Sequence, residues 1–305
     1  MIPTAPSSMS IESNTKIIRI DEHYKNLKSA KEFRHFYGHS DNHAPIAQAI
    51  CDIAKKKNIK YISYDVFDTA LLRECKSEAR RFWETSQNFV AALQEKNKGK
   101  RGYAFTTEDV FLARIAAARA AYSISRTKNM NREGTFDNIA KITCDLLGCI
   151  ELAPLYERTE LSYELNSLLP NPLIKSVSQL LPDLNIVFIS DMYLESPKIK
   201  KLVISKLGLP TNTIVYSSAD GFGSKRSGKL FPHVASELKL DNAEILHVGD
   251  NFSSDYQMAK KNGFHAFYLP MPDAEKQARR DCYAMMHQSL AKKEIELNKL
   301  LSFNL

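Results

Sequence analysis

The chain has 305 residues, of which 44% are hydrophobic and 25% charged, and its formal net charge is +7. That length is enough for one large or two modest domains with a real core, and no apolar run approaches the roughly 20 residues of a membrane-spanning helix. The lysines are spread over Lys55–Lys57, Lys98–Arg101, Lys198–Lys201 and Lys260–Lys261 instead of forming one basic face interleaved with aromatics. This pattern argues against a nucleic-acid binder and for solvated helix ends. The five cysteines are odd in number, scattered and without zinc-ligand spacing, which implies reduced thiols in a cytosol-like compartment.

Met1 to Lys16 is polar and Ser-rich, lacks the apolar core of a signal peptide, and is expected to be disordered. A basic leader follows, then a helix over Ala44–Lys57 with Ile46, Ile50, Ile53 and Ala54 at helical spacing. The run Tyr61-Ile62-Ser63-Tyr64 reads as a buried strand that ends at Asp65. From residue 74 to about 180 the pattern is entirely helical. Ser77–Glu95 is amphipathic, and Thr106-Thr107-Glu108-Asp109 has the form of a capped helix start. Ala113–Tyr122, Phe136–Leu147 and Leu155–Leu169 continue the block, and Pro170 and Pro172 mark its stop.

After Pro182 short apolar runs alternate with helical stretches: Ile186–Ile189, Thr213–Tyr216, Glu244–Val248 and Ala266–Leu269. Such alternation predicts an α/β fold with a doubly wound parallel sheet. The first strand precedes the helical block and the others follow it, so the block is an insertion. The expected division is a disordered leader at 1–16, an α/β core at 17–73 and 181–272, an all-helical cap at 74–180 and a helical tail at 273–305. In the tail, Tyr283, Met286, Leu290, Leu297, Leu300 and Leu301 recur roughly at helical spacing. Packing against the body is its expected role, with peripheral membrane or partner contact as the alternative.

Four polar groups stand at or just beyond strand ends: Asp65, Ser190, Lys225 and Asp250. Open α/β sheets bind ligands at that edge. A carboxylate, a hydroxyl, a lysine and a second acid suit phosphoryl transfer. Asp65 is positioned as a nucleophile, although a carboxylate there would also cap a helix. Ser190 offers a phosphate-oxygen donor beside the backbone N–H groups of its turn. His247 lies inside a strand, where a core role is expected. Gly221-Phe222-Gly223-Ser224-Lys225 lacks the spacing of a nucleotide-binding loop, and its glycines read as hinges.

Asp65-Val66-Phe67-Asp68-Thr69, Ile189-Ser190-Asp191, Lys225 before Leu230-Phe231, and Gly249-Asp250-Asn251 with Asp255 resemble the four motifs of the haloacid dehalogenase-like (HAD) superfamily. The helical insertion resembles that family's C1-type cap, and the resemblance covers about residues 60 to 270. It implies a HAD-like Rossmannoid core and an aspartyl-phosphate formed on Asp65. Lys225, in competition with Lys229, would neutralise the nucleophile and the transferring group. The spacing of Lys225 to Phe231 matches the third motif. Thr69 would support the nucleophile loop, and Asp191 and Lys229 would join in binding substrate. Mg2+ would be held by Asp65, the Phe67 carbonyl and Asp250, with Asn251 and Asp255 in supporting or alternate positions.

The resemblance breaks at Phe67. HAD phosphatases normally carry there a second aspartate that protonates the leaving group and then activates water, and Phe67 cannot transfer a proton. Asp68 is a poor stand-in because adjacent side chains on a strand-like turn point opposite ways. Three readings follow. The first is a phosphatase for phenolic leaving groups, whose pKa of about 10 lies well below that of alkyl alcohols; phosphotyrosine belongs to that class, and some HAD tyrosine phosphatases are exported by intracellular bacterial pathogens. The second is a non-catalytic or weakly active partner-binding module. The third is a haloacid dehalogenase, which needs neither acid nor magnesium. The first implies a phosphorylated substrate, a phosphoprotein among the candidates, and a cytoplasmic protein with export to a host cell as an option.

Overall fold

The structure, a computed structural model, describes residues 40–96, 102–124 and 133–295. The leader expected at 1–16 and the tail positions Leu297, Leu300 and Leu301 lie outside the described residues. Helix α1 (Ser40–Lys56) leads into strand β1 (Tyr61–Tyr64). Strands β4 (Asn185–Ser190), β5 (Ile214–Ser217), β6 (Ile245–Gly249) and β7 (His265–Tyr268) join β1 in a parallel five-stranded sheet of order β5-β4-β1-β6-β7. The chain moves outward from β1 through β4 and β5, then returns to its other side for β6 and β7, which makes β1 the centre of the sheet. The doubly wound α/β fold read from the sequence is therefore present.

Strand periodicity sorts the core into two faces. Ile62, Tyr64, Phe188, Leu246, Val248 and Phe267 pack with Ile46 and Ile50 of α1, Leu173 and Val177 of α6 (Pro172–Leu180), and Ile199 and Val203 of α7 (Ser196–Leu207). On the other face Ile189 and Ile245 meet Leu230, Phe231 and Val234 of α8 (Leu230–Leu238) and Ala259 of α9 (Met258–Lys261). Each fully buried Phe, Leu, Ile or Val here contributes about 1.5–3 kcal/mol.

Between β1 and α6 the described residues form four α-helices: α2 (Glu78–Lys96), α3 (Thr107–Ile124), α4 (Phe136–Leu146) and α5 (Ala153–Ser167). The capped start at Thr106 is real. Asp109 N donates to Thr106 Oγ1 at 3.1 Å, and Thr106 N donates back to Asp109 Oδ2 at 2.9 Å.

The block is not helical throughout, contrary to the reading of 74–180. Strand β2 (Leu71–Leu72) pairs antiparallel with β3 (Leu169–Pro170), closing a neck under the insertion. Pro172 opens a helix instead of ending one. It sits in the first turn of α6, where its missing N–H is harmless, and α6 packs on α1 beside the sheet. Asn171 caps that helix at Leu173 N (3.0 Å) while its Nδ2 donates to the Thr69 carbonyl at 2.8 Å.

The last described helix, α10 (Asp273–Ala291), lies on the insertion. Its Met286 and Leu290 pack with Ala79 and Phe82 of α2 and with Phe111 and Ile115 of α3. None of the five cysteines forms a disulfide. Among the described residues no helix is long and apolar enough to cross a membrane.

Candidate active site

Register brings the polar groups together. Tyr64 pairs with Phe188 on one side and Val248 on the other, so the residues just beyond them emerge along one edge of the sheet. Asp65 N donates to the Val248 carbonyl at 2.9 Å, fixing the start of the loop. The loop then folds tightly: Leu71 N donates to Val66 O at 2.7 Å, and Asp68 adopts φ 65°. That left-handed conformation is one that Asp tolerates better than most residues.

Asp65 and Lys225 form a buried ion pair through Oδ1 and Nζ. The same ammonium meets Asp255 Oδ1 at 2.6 Å. Asp255 is in turn fixed by the Asn251 amide, 2.9 Å from Oδ2, and by His247 Nε2, 3.4 Å from Oδ1. His247 Nδ1 lies 2.9 Å from Ser63 Oγ, so this core histidine also steadies the site. Gly249 is required by close approach: a Cβ there would stand 2.4 Å from Asp255 Cγ. Asp250 accepts from Thr69 Oγ1 at 3.5 Å.

Burial dominates the electrostatics. It pushes the Asp65 carboxyl up to about 7, with Lys225 opposing that shift and Asp255 adding to it. Burial also raises Asp250 well above the ordinary range, helped by the charges of Asp65, Asp68 and Asp255. For Asp255, burial is outweighed by Lys225 and His247, which hold its carboxyl low. Lys225 is held above its ordinary value by Asp255, Asp65 and Asp191 against the effect of burial.

One carboxylate oxygen each from Asp65, Asp250 and Asp255 lies within 4.8 Å of the others. Three carboxylates facing one ammonium leave an excess of two negative charges when all are ionised, and that excess adds to burial in raising Asp250. A divalent cation with a preference for oxygen ligands fits this donor set.

These residues floor a cavity of about 640 Å³ between the sheet edge and the helical insertion. Of the residues singled out in the sequence, Asp65, Phe67, Ser190, Asp191, Lys225, Asp250, Asn251 and Asp255 line it. Asp191 does so from a structural position: its two oxygens accept the Lys225 and Arg226 amides at 2.6 and 3.0 Å, shaping the lysine loop. Thr69 and Lys229 are not among the lining residues. Thr69 is buried and reaches the site only through Asp250. Lys229 is exposed at the foot of α8, separated from the cavity by the turn that carries Lys225. Of the two candidate lysines, the structure brings Lys225 to Asp65.

The insertion supplies Glu78, Phe82, Arg114, Ala118, Tyr122 and Glu133 to the cavity wall. Arg73, at the neck, stacks its guanidinium 4.1 Å above the Phe67 ring. The sequence places the insertion's substrate contacts within Cys75–Arg81 and Phe111–Tyr122, and Glu78, Arg114, Ala118 and Tyr122 of those segments do line the cavity; Arg73 and Tyr193 were missed. A signal existed on α5: Tyr156, Glu160 and Glu164 recur every four residues and are all buried. Acids on a buried stripe demand cationic partners.

No family model matches the chain, and no curated protein matches it. Its fold resembles several solved structures at low identity. An L-2-haloacid dehalogenase from Xanthobacter autotrophicus shares 15% identity at a TM-score of 0.44, covering 80% of this chain and 87% of that one. A HAD-hydrolase from Bacillus subtilis bound to magnesium shares 13% at 0.43, covering 69% and 88%. A HAD family enzyme from Bacteroides thetaiotaomicron, in complex with magnesium and inorganic phosphate, shares 14% at 0.42, covering 70% and 96%. These are likenesses of outline only, and the roles of individual side chains come from this chain's own geometry.

Proposed function

We propose that the chain is a magnesium-dependent phosphatase that hydrolyses phosphomonoesters through an aspartyl-phosphate on Asp65 and favours aryl esters, the class that includes phosphotyrosine. The observation that carries the reading is the convergence of Asp65, Asp250 and Asp255 on one another at the C-terminal edge of the sheet, with Lys225 paired to Asp65 and Asp255. Mg2+, held by Asp65 and Asp250 with Asp255 close by, would offset charge on the phosphoryl oxygens.

Ionised Asp65 attacks phosphorus, the bond to the ester oxygen breaks, and that oxygen leaves as an anion that takes its proton from water. Lys225 sits on the attacking carboxylate and lowers the repulsion between it and the dianionic ester. Ser190, buried at the end of β4 and lining the cavity, would donate to a phosphoryl oxygen. Water then attacks the phosphorus of the acyl phosphate and returns Asp65. Because Phe67 carries no proton, the leaving oxygen must be stable as an anion, and this favours a phenolate over an alkoxide.

The deciding assay is hydrolysis of phenyl phosphate and of a phosphotyrosine peptide, with magnesium and with chelator, beside Asp65→Asn. Magnesium-dependent turnover that the substitution removes supports the reading. A folded sample that turns over neither ester sinks it in favour of the partner-binding module. Phe67 also suits a haloacid dehalogenase, and chloride release from 2-chloropropionate that persists in chelator would favour that reaction.

A further inference from the structure

We propose that the cavity binds a substrate bearing a carboxylate remote from its phosphoryl group, and that Arg114 and Arg73 receive it. The phosphatase reading supplies only the other end of that substrate.

Arg114 is fully buried, the largest such side chain among the described residues. Its Nε and Nη2 donate to the two oxygens of Glu160 at 3.0 and 2.9 Å. Its guanidinium carbon stands 4.2 Å from the Phe82 ring centroid and 5.0 Å from that of Tyr193. Both rings line the cavity, as Arg114 itself does. Tyr193 closes the assembly by donating to Glu160 Oε1 at 2.8 Å. The guanidinium is thus clamped on one edge and on its flank, and Nη1, on the remaining edge, has no partner among the described residues. A buried donor left unused is destabilising. A ligand oxyanion would remove that cost.

Arg73 repeats the arrangement. Its Nη2 donates to Glu164 Oε1 at 3.4 Å, and its Nε has no partner among the described residues. Glu160 and Glu164, which anchor the two guanidinium groups, stand one turn apart on the same face of α5. Two arginines with spare N–H groups, rigidly held beside aromatic rings, match an aromatic acid. Glu78 and Glu133 also line the cavity and would repel the double charge of a second phosphate, which makes a carboxylate the better fit.

The test compares 3-carboxyphenyl phosphate with its neutral isostere 3-carbamoylphenyl phosphate. The native protein should prefer the acid by tenfold or more in kcat/KM, chiefly through KM. Arg73→Met, and the paired substitution Arg114→Met with Glu160→Met that leaves no buried charge unpartnered, should each bring the ratio toward one. Calorimetry with benzoate and benzamide reads the subsite without turnover: benzoate should bind the native protein and neither variant. Binding with that pattern sustains the subsite even if no ester is hydrolysed. Absence of benzoate binding overturns it, and the phosphatase reading then stands or falls on phenyl phosphate alone.

Discussion

Arg279 grips Asp68 with both terminal nitrogens, Nη2 to Oδ1 at 2.6 Å and Nη1 to Oδ2 at 3.0 Å, across 211 residues of sequence. Asp68 stands three residues beyond Asp65 and also accepts the Arg73 amide at 3.4 Å. The Arg279 bond and the nearby Arg73 charge outweigh burial and hold its carboxyl below the ordinary range. Arg279→Met is expected to destabilise the protein by about 1.5–3 kcal/mol and to lower kcat about ten- to hundredfold through a displaced nucleophile loop. Arg279→Lys should recover part of both. A group with a lowered folded pKa stabilises above its unfolded value of about 4 and loses that contribution as pH falls further. Urea titrations from pH 6 to 3 should therefore show a shallower acid limb in Arg279→Met.

Asp65→Asn removes the proposed nucleophile without removing shape. Its folded carboxyl is raised to about 7, so between about pH 4 and 7 the folded protein holds a proton that the unfolded chain has released. Folding of the native chain therefore weakens across that window. The amide does not titrate, and the variant should gain stability relative to the native protein as pH rises from 4 to 7. A stability difference that is flat with pH in urea titrations would contradict the assigned environment.

Magnesium binding at the proposed site would displace protons. With Asp65 protonated up to about pH 7, the apparent affinity should rise with pH until that point. Release of the Asp65 proton alone predicts roughly tenfold weaker binding for each unit below it, and the raised Asp250 carboxyl steepens that dependence. Calorimetry in buffers of different ionisation enthalpy would count the protons, and a pH-independent affinity would exclude Asp65 as a ligand.

Gly249→Ala should damage the site by contact alone. The added methyl would overlap Asp255, whose Cγ lies 2.4 Å from the required position. Moving Asp255 breaks its contact with Lys225, and overpacking of this kind costs about 1–3 kcal/mol. The expected result is a stable but impaired protein, read by thermal unfolding and by phenyl phosphate turnover.

Phe67→Asp introduces the missing acid. Hydrolysis of alkyl phosphates should rise more than that of aryl phosphates, by about 10²-fold if the new carboxyl acts as a general acid. Equal effects on both esters would sink the leaving-group explanation.

The floor of the cavity was legible because each of its residues follows an apolar strand that announces itself by β-rich composition, and parallel register then aligns the strand ends. The cap wall was legible only as two segments, Cys75–Arg81 and Phe111–Tyr122, without the individual side chains. Arg73 and Arg114 look like surface cations in sequence, and only the buried acids Glu160 and Glu164 show why they turn inward. The Arg279–Asp68 pair was equally hidden, since no local pattern links an exposed-looking helical arginine to a loop so far upstream. Strands β2 and β3, two residues each, are too short to carry a period.

The grip of α10 on the Asp68 loop also bears on how the protein matures. During synthesis every floor residue of the cavity is complete once Asp255 has emerged, yet Arg279 is still to be added. A nascent chain halted before α10 would carry Asp68 without its principal counter-charge and the Ala79, Phe82, Phe111 and Ile115 surface without Met286 and Leu290. Catalytic competence on the proposed reading would then wait for α10, whose arrival sets the Asp68 loop and fastens the insertion together.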